Sequence, residues 1–321
     1  MEDTLLEIKD LYVQFKTGRS TTYALNGVNL TLRNGEALGL VGETGAGKTT
    51  TALAAMGLIP KDVGRITGGD VLFHGKSVNA MKPKELQSLR GGKISMIFQN
   101  PLTSLNPVFT IEEQIAMSLR NHQHLSKKEA REKAGDLLEM VGIIRSRLDD
   151  YPGQLSGGMR QRVGIAAALA CNPELLIADE PTTALDVTIQ AQILELMKDL
   201  QNDRNSALLM ITHSLGIISE LCEKVAVMYA GRIVEFGTVK EVFHNPTHWY
   251  TQGLLGAIPK LTGPRERLAN IPGSMADNKA AFVGCAFAPR CGHCVQACKQ
   301  RTPQIIRLGG EHWVECANTE G

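Results

Sequence analysis

Gly42-Glu43-Thr44-Gly45-Ala46-Gly47-Lys48-Thr49 follows the pattern G-x-x-x-x-G-K-[ST], which suits the holding of a polyphosphate. Each residue type has its own reason. Gly42, Gly45 and Gly47 allow backbone torsions that a side chain forbids, so that N–H groups can turn inward toward phosphate oxygens. A helix opening at Lys48 adds its positive N-terminal end. Lys48 supplies a point charge to the β- and γ-phosphates, and the Thr49 hydroxyl is a ligand for Mg2+. The binding set read here runs through Gly42, Glu43, Thr44, Gly45, Ala46, Gly47, Lys48, Thr49 and Thr50.

A second group carries hydrolytic chemistry. Leu175–Ala178 is an apolar run ending in Asp179 and Glu180. In a chain with a phosphate loop upstream, Asp179 would hold Mg2+ and Glu180 would activate the attacking water. Leu155-Ser156-Gly157-Gly158-Met159 stands just before. Ser156 caps the helix expected over Arg160–Ala170, and the two glycines leave its first amides open, which builds a second anion site. The simplest use of two anion sites in one chain is a nucleotide shared with another subunit. A third group is sulfur. Five of the seven cysteines (Cys285, Cys291, Cys294, Cys298, Cys316) lie at the C-terminal end. In a reducing compartment such a set suits metal better than disulfides. Cys171 and Cys222 fall in helix patterns and read as small buried residues.

The elements that must position these groups are legible in the pattern. Leu6–Phe15 alternates as a strand, and Ala24–Leu32 follows as a second after the turn at Gly18. Glu36–Val41 is a buried strand entering the glycine loop, and Lys48–Ile59 a helix stopped near Pro60. Ile94–Phe98, Leu175–Ala178 and Ala207–Thr212 are further buried strands. Ile111–Arg120 and Lys127–Val141 are helices, and Val225–Tyr229 with Arg232–Phe236 a hairpin around Ala230-Gly231. Short buried strands alternating with helices imply an α/β fold with a largely parallel sheet. Residues 260–284 read as a linker.

The combination of the loop with LSGGM, LLIADEP and TTALD resembles the ATP-binding subunits of ATP-binding-cassette (ABC) transporters, over residues 5–258. Met159 departs from the usual glutamine of that signature. The resemblance implies an α/β, RecA-like P-loop NTPase domain at residues 1–258. Its helical subdomain would span about 100–155, beside an N-terminal antiparallel β subdomain, with a small Cys-rich extension at 259–321. It also implies further roles. Gln99 matches the loop glutamine that contacts Mg2+ and water, His213 the switch histidine at the γ-phosphate, and Ala184-Leu185-Asp186 the loop at the dimer interface. Phe15, with Tyr23 as second choice, stands where an aromatic stacks on adenine. Ser214 replaces an aspartate common after the histidine.

Gln99-Asn100-Pro101-Leu102-Thr103-Ser104-Leu105-Asn106-Pro107 and Asn245–Thr251 resemble segments of oligopeptide and dipeptide importer ATPases, with Trp249 in place of a usual proline. The tail resembles the extension of that group, in which four cysteines can bind a [4Fe–4S] cluster. Cys285, Cys291, Cys298 and Cys316 would be the ligands, and Cys294 is then extra. Zinc on Cys291, Cys294, Cys298 and Cys285 or Cys316, or no metal at all, are the alternatives.

The implied function is ATP hydrolysis that powers import of di- or oligopeptides, with ATP and Mg2+ as substrate and ion. The implied partners are a second, related ATPase subunit, two transmembrane permease subunits and an extracellular solute-binding protein. Nickel or another small solute is the alternative cargo. A non-transport ABC ATPase and a non-enzymatic metal-binding regulator are the competing classes. Composition bounds the choice. Hydrophobic residues are 43% of the chain and charged residues 21%, which excludes disorder along its whole length. Lys+Arg at 34 against Asp+Glu at 33 gives no reason to expect nucleic acid. No apolar run approaches the ~18–20 residues of a membrane span, and the first residues lack a secretory pattern. These point to a chain made and kept in the cytosol, and the resemblance implies a peripheral place on the cytoplasmic face of the membrane.

Overall fold

The computed structural model describes residues 4–100, 104–182, 185–204, 206–257, 271–276, 278–279 and 282–319. The elements begin with β1 (Thr4–Thr17), β2 (Ser20–Arg33), β3 (Ala37–Val41), α1 (Lys48–Ala55), β4 (Gly64–Phe73), β5 (Lys76–Ser77) and α2 (Pro83–Leu89). Then come β6 (Ile94–Ile97), α3 (Ile111–Gln123), α4 (Lys127–Met140), α5 (Gly157–Leu169), β7 (Leu175–Asp179), α6 (Val187–Arg204) and β8 (Ala207–Ile211). The chain continues through α7 (Leu215–Leu221), β9 (Lys224–Tyr229), β10 (Arg232–Thr238), α8 (Val239–His244), α9 (Trp249–Gly256), α10 (Gln296–Gln300), β11 (Ile305–Gly309) and β12 (His312–Glu315). The chain divides into two compact units.

One unit comprises Met1–Leu5, Leu32–Ala37 and Ala80–Ile211. Its strands β6, β7 and β8 are buried at every residue. Such continuous apolar runs suit a parallel sheet covered on both faces. β7 is the middle strand, paired in parallel with β6 (Ile94↔Leu175 to Ile97↔Ala178) and with β8 (Leu175↔Ala207 to Asp179↔Ile211). Parallel pairing puts the C-terminal ends of the three strands side by side. Helices α3, α4 and α5 pack on one another, and α5 covers β6. α3 and α4 each start in a capping box, Thr110 with Glu113 and Ser126 with Glu129, which satisfies first-turn N–H groups that the helix itself cannot. Arg131 on α4 bonds Glu112 at 2.7 Å and Asp149 at 2.8 Å.

The other unit comprises Leu6–Thr31, Leu38–Asn79 and Thr212–Gly321. β1 and β4 pair antiparallel from Leu6↔Phe73 to Phe15↔Gly64, with an irregularity between Lys9 and Tyr12. There Asp10 has φ 46° and a Cβ on Gly69 would meet Asp10 O at 2.2 Å. β3 runs parallel to β9, Leu38↔Lys224 to Val41↔Val227. β9 turns into β10 through Ala230 and Gly231, both at positive φ (46° and 80°). That is the torsion pair of a tight primed hairpin turn. β10 pairs antiparallel with β12, and β12 with β11.

The helix after the glycine loop is shorter than the pattern suggests. α1 ends at Ala55 and not near Ile59, because Gly57 takes φ 63°. Gly57 N donates to Ala54 O at 2.9 Å and Leu58 N to Leu53 O at 2.7 Å, the paired bonds of a Schellman stop. The glycine ends the helix before Pro60 is reached. Cys222 is buried as expected, whereas Cys171 is half-buried in the turn after α5.

A buried polar knot ties β10 to the later elements. The Glu235 carboxylate is 0% exposed. It accepts from Thr247 N (2.7 Å) and His248 N (3.0 Å), and lies 2.9 Å from His312 Nε2. His248 caps α9, its Nδ1 accepting from Tyr250 N at 3.0 Å, so the neutral ring carries its proton on Nε2. Burial lowers the His248 imidazole to about 4. An unfolded chain therefore takes up this proton first as the pH falls. The stability linked to His248 is intact above about 6.5 and is lost progressively down to about 4, for a total of about 3 kcal/mol. Urea denaturation across that range should show wild type losing stability more steeply than His248→Asn. Parallel profiles would contradict it.

Candidate functional site

The glycine loop is shaped by what crowds it. Gly42, Gly45 and Gly47 take φ 154°, 85° and 108°. A Cβ on Gly42 would meet the carbonyl oxygen of Met228 on β9 at 2.1 Å, and one on Gly47 would meet Ala24 O and Met228 Cε at 2.8 Å. A Cβ on Gly45 meets nothing within 4 Å. Ala46 is buried; its N–H donates to Glu43 O at 3.1 Å and its carbonyl accepts from Gly231 N at 2.8 Å. Lys48, 8% exposed at the start of α1, donates from Nζ to Gly42 O (2.6 Å) and Glu43 O (3.1 Å). The lysine thus crosses the loop from inside. Thr49 is exposed and Thr44 is exposed on the loop. The Thr49 hydroxyl is a hard oxygen donor of the kind that suits Mg2+, and in the other unit Asp179 and Gln99 carry hard oxygen donors of their own.

In the other unit the strand ends bring two expected residues together. Asp179 closes β7 at 2% exposure. Glu180 follows at φ 48°, a conformation that non-glycine residues adopt at a cost. Its N–H donates to Ile211 O at 2.8 Å, and its Oε2 accepts from Gln99 Nε2 at 2.9 Å. Adjacent parallel strands carry both side chains to one edge, although 81 positions separate them in sequence. Ser156 is the N-cap of α5, accepting from Met159 N at 3.2 Å. Gly157 and Gly158 open that helix as expected, three residues earlier than the helical pattern suggests. Asp186 caps α6, accepting from Ile189 N at 3.0 Å; Ala184 lies outside the described residues.

His213 is exposed just after β8, and Thr212 Oγ1 accepts from Ser214 N at 3.0 Å. Phe15 is half-buried on β1 opposite Gly64, and the N–H of Tyr23 on β2 donates to Asn278 O at 2.7 Å. Pro101–Thr103, Ile258–Asn270 and parts of the segment to 281 lie outside the described residues.

The tail cysteines are neighbours. Cys285 N donates to Cys298 O at 2.8 Å. Burial pushes the Cys285 thiol up to about 12, with Cys298 and Cys316 adding to the rise, and burial also raises Cys291 and Cys316. Yet among the described residues no three His, Cys, Asp or Glu side chains stand where they could hold one metal ion. The iron–sulfur and zinc expectations find no support in this arrangement.

Two contacts at the loop carry no signal in the sequence. Glu43 N donates to Tyr250 Oη at 2.8 Å, and the Glu43 carboxylate pairs with Arg290 at 2.9 Å.

Residues 25–183 match the ABC transporter family and residues 234–298 match the oligopeptide/dipeptide transporter C-terminal region. A probable peptide ABC transporter ATP-binding protein of Sinorhizobium fredii is 46% identical across 98% of this chain and 95% of its own length. The chain belongs to the peptide ABC transporter ATP-binding proteins. An oligopeptide transport ATP-binding protein of Bacillus subtilis is 48% identical over 97% of this chain and 88% of its own. Among solved structures, a dimeric ATP-binding cassette in a post-hydrolysis state with ADP and Pi matches with a TM-score of 0.67 at 30% identity. It covers 73% of this chain and 98% of that one. This ABC protein is therefore an ATP-hydrolysing P-loop enzyme with the mixed α/β cassette fold. No helix among its described residues is long and apolar enough to cross a membrane.

The crowding around the loop predicts unequal glycines. Gly42→Ala should abolish ATP binding and lower the melting temperature, since its Cβ would sit on a backbone carbonyl. Gly45→Ala carries only backbone strain, on the order of 1–2 kcal/mol, and should bind with reduced affinity. Fluorescent-nucleotide titration beside thermal melting checks this; equal losses would contradict it.

Proposed function

We propose that this ABC ATPase powers the import of di- and oligopeptides from the cytoplasmic face of the membrane, as a peripheral subunit on two permease subunits fed by an extracellular solute-binding protein. One observation carries the proposal. Relatives that share nearly half of its residues over almost its whole length, tail included, are named for peptide or oligopeptide transport.

The proposed cycle assigns roles by chemistry. Gly42–Thr49 bind the phosphates of ATP, and Lys48 leaves its two carbonyl partners for phosphate oxygens. Mg2+, when bound, neutralises phosphate charge, with Thr49, Gln99 and Asp179 as its holders. Glu180 takes the proton of the attacking water, Gln99 orients the Glu180 carboxylate through their 2.9 Å bond, and His213 contacts the γ-phosphate. Phe15 stacks on adenine. Ser156, Gly157 and Gly158 present helix N–H groups to the ATP of a second, related subunit, with Asp186 near that interface. Binding then favours a closed pair and hydrolysis releases it. Residues 1–258 form the ATPase in this reading and 259–321 the extension.

Exposed apolar Val108 (71%), Phe109 (38%) and Met117 (45%) support a docking role for the α3 face. Phe109 and Met117 line a groove of about 770 Å³ together with Glu113, Arg120 and Lys127. We assign this groove to the permease. The reading of Cys285, Cys291, Cys298 and Cys316 as [4Fe–4S] or zinc ligands rests on the tail's resemblance to that extension and on ligand type and spacing. Iron and sulfide, or zinc, in anaerobically purified protein would support it, and the absence of both would remove it.

Glu180→Gln should lower ATP turnover by roughly 10²–10⁴-fold while ATP binding persists, and cells carrying it should lose uptake of labelled peptide. Wild-type turnover in the variant would remove Glu180 from its role. Peptide uptake unaffected by deletion of the protein would overturn the cargo.

A further inference from the structure

Arg290 reaches the phosphate loop from the far end of the chain, 247 positions away. Its Nη1 lies 2.9 Å from Glu43 Oε2 and its Nη2 3.1 Å from Glu43 Oε1, a two-pronged pairing that fixes direction as well as distance. The arginine side chain is only 7% exposed, against 28% for Glu43. Its remaining donors are engaged as well: Nε with Pro272 O at 2.8 Å, Nη2 with Ile271 O at 3.3 Å, and Nη1 with Tyr229 Oη at 3.4 Å. Burial opposes its charge, but the bonds to Glu43 and Tyr229 more than offset that, so the guanidinium is held above its ordinary value.

The ring wall behind it is equally built. Tyr229, Tyr250 and Phe287 pack with centroids 4.7–5.4 Å apart, and Arg290 lies over Tyr229 and Phe287 at 5.8 and 6.0 Å. Tyr250 in turn receives the Glu43 N–H. Glu43 is thus gripped at three points: its N–H by Tyr250, its carbonyl by Lys48, its carboxylate by Arg290. Two of those grips come from beyond β10.

A carboxylate one residue after Gly42 is a liability in a loop that must accept a triphosphate, because like charges repel most where solvent is thin. We propose that Arg290 is a positioning residue for ATP. It neutralises Glu43 and pins the loop in the conformation that accepts phosphates, which makes nucleotide affinity depend on the docking of the C-terminal segment. The inference rests on the ATPase assignment and is independent of the transported solute.

The pairing predicts a rescue that loss of folding alone does not produce. Mg2+ and a fluorescent ATP analogue titrated into the purified full chain should bind roughly three- to thirtyfold more weakly to Arg290→Gln, at a melting temperature close to wild type. Adding Glu43→Gln to Arg290→Gln should recover most of that affinity, since it removes the stranded charge. Arg290→Lys, which keeps the charge and loses the fork, should fall between wild type and Arg290→Gln. It carries the test if Arg290→Gln does not fold. Wild-type affinity in Arg290→Gln, or in Arg290→Lys where that is the variant used, would overturn the proposal. So would a double variant no better than the single one.

Discussion

The structure turns on how tightly the backbone between Val41 and Lys48 is confined. The carbonyl of Met228 on β9 leaves no room for a Cβ at Gly42, and that of Ala24 leaves none at Gly47. The turn glycine Gly231 donates to Ala46 O, while its own missing side chain makes space beside Ala24 O and Asn26 Nδ2. The loop is therefore moulded by β2, by β9 and by the hairpin that follows β9, in addition to its own glycines. Electrostatic binding by backbone dipoles works best when the dipoles are already aimed, and a crowded loop cannot relax away from that aim. Lys48, lying across two loop carbonyls, stands ready inside the curve.

The hydrolytic residues obey a different rule. Parallel strands deliver whatever follows their C-terminal ends to one edge of the sheet, where open α/β sheets place their ligands. Gln99 after β6 and Glu180 after β7 meet because the register of the two strands brings their ends level. The left-handed torsion at Glu180 is the local strain that this placement carries. Helix caps do comparable work nearby: Ser156 at α5 and Asp186 at α6 are each fixed by a first-turn N–H, so both side chains are held in place.

The glycine loop, the buried strands and the acids at the end of β7 were legible in the sequence because local residue types dictate them. So were the hairpin at Ala230-Gly231 and the cap at Ser156. The limits of α1 were less so, since Gly57 ends the helix by a torsion that the more visible Pro60 masks. β4, written Gly-Arg-Ile-Thr-Gly-Gly-Asp-Val-Leu-Phe, hid behind glycines that serve the bulge opposite Asp10. The Arg290–Glu43 pair was out of reach in principle. Neither residue type is unusual where it stands, and only the fold brings residues 247 positions apart into contact. The tail cysteines show the converse: suggestive spacing, but side chains that do not converge on a metal among the described residues.

The claim that the loop is preformed by its neighbours is tested most directly by the crystal structure of the full chain with Mg2+ and ATP, or a non-hydrolysable analogue. The account predicts that the backbone of residues 42–49 superposes on the present loop within about 1 Å. In that complex Lys48 Nζ has moved from the Gly42 and Glu43 carbonyls to phosphate, and the Met228, Ala24 and Gly231 contacts persist. A loop refolded by more than about 2 Å, with those contacts broken, would contradict it.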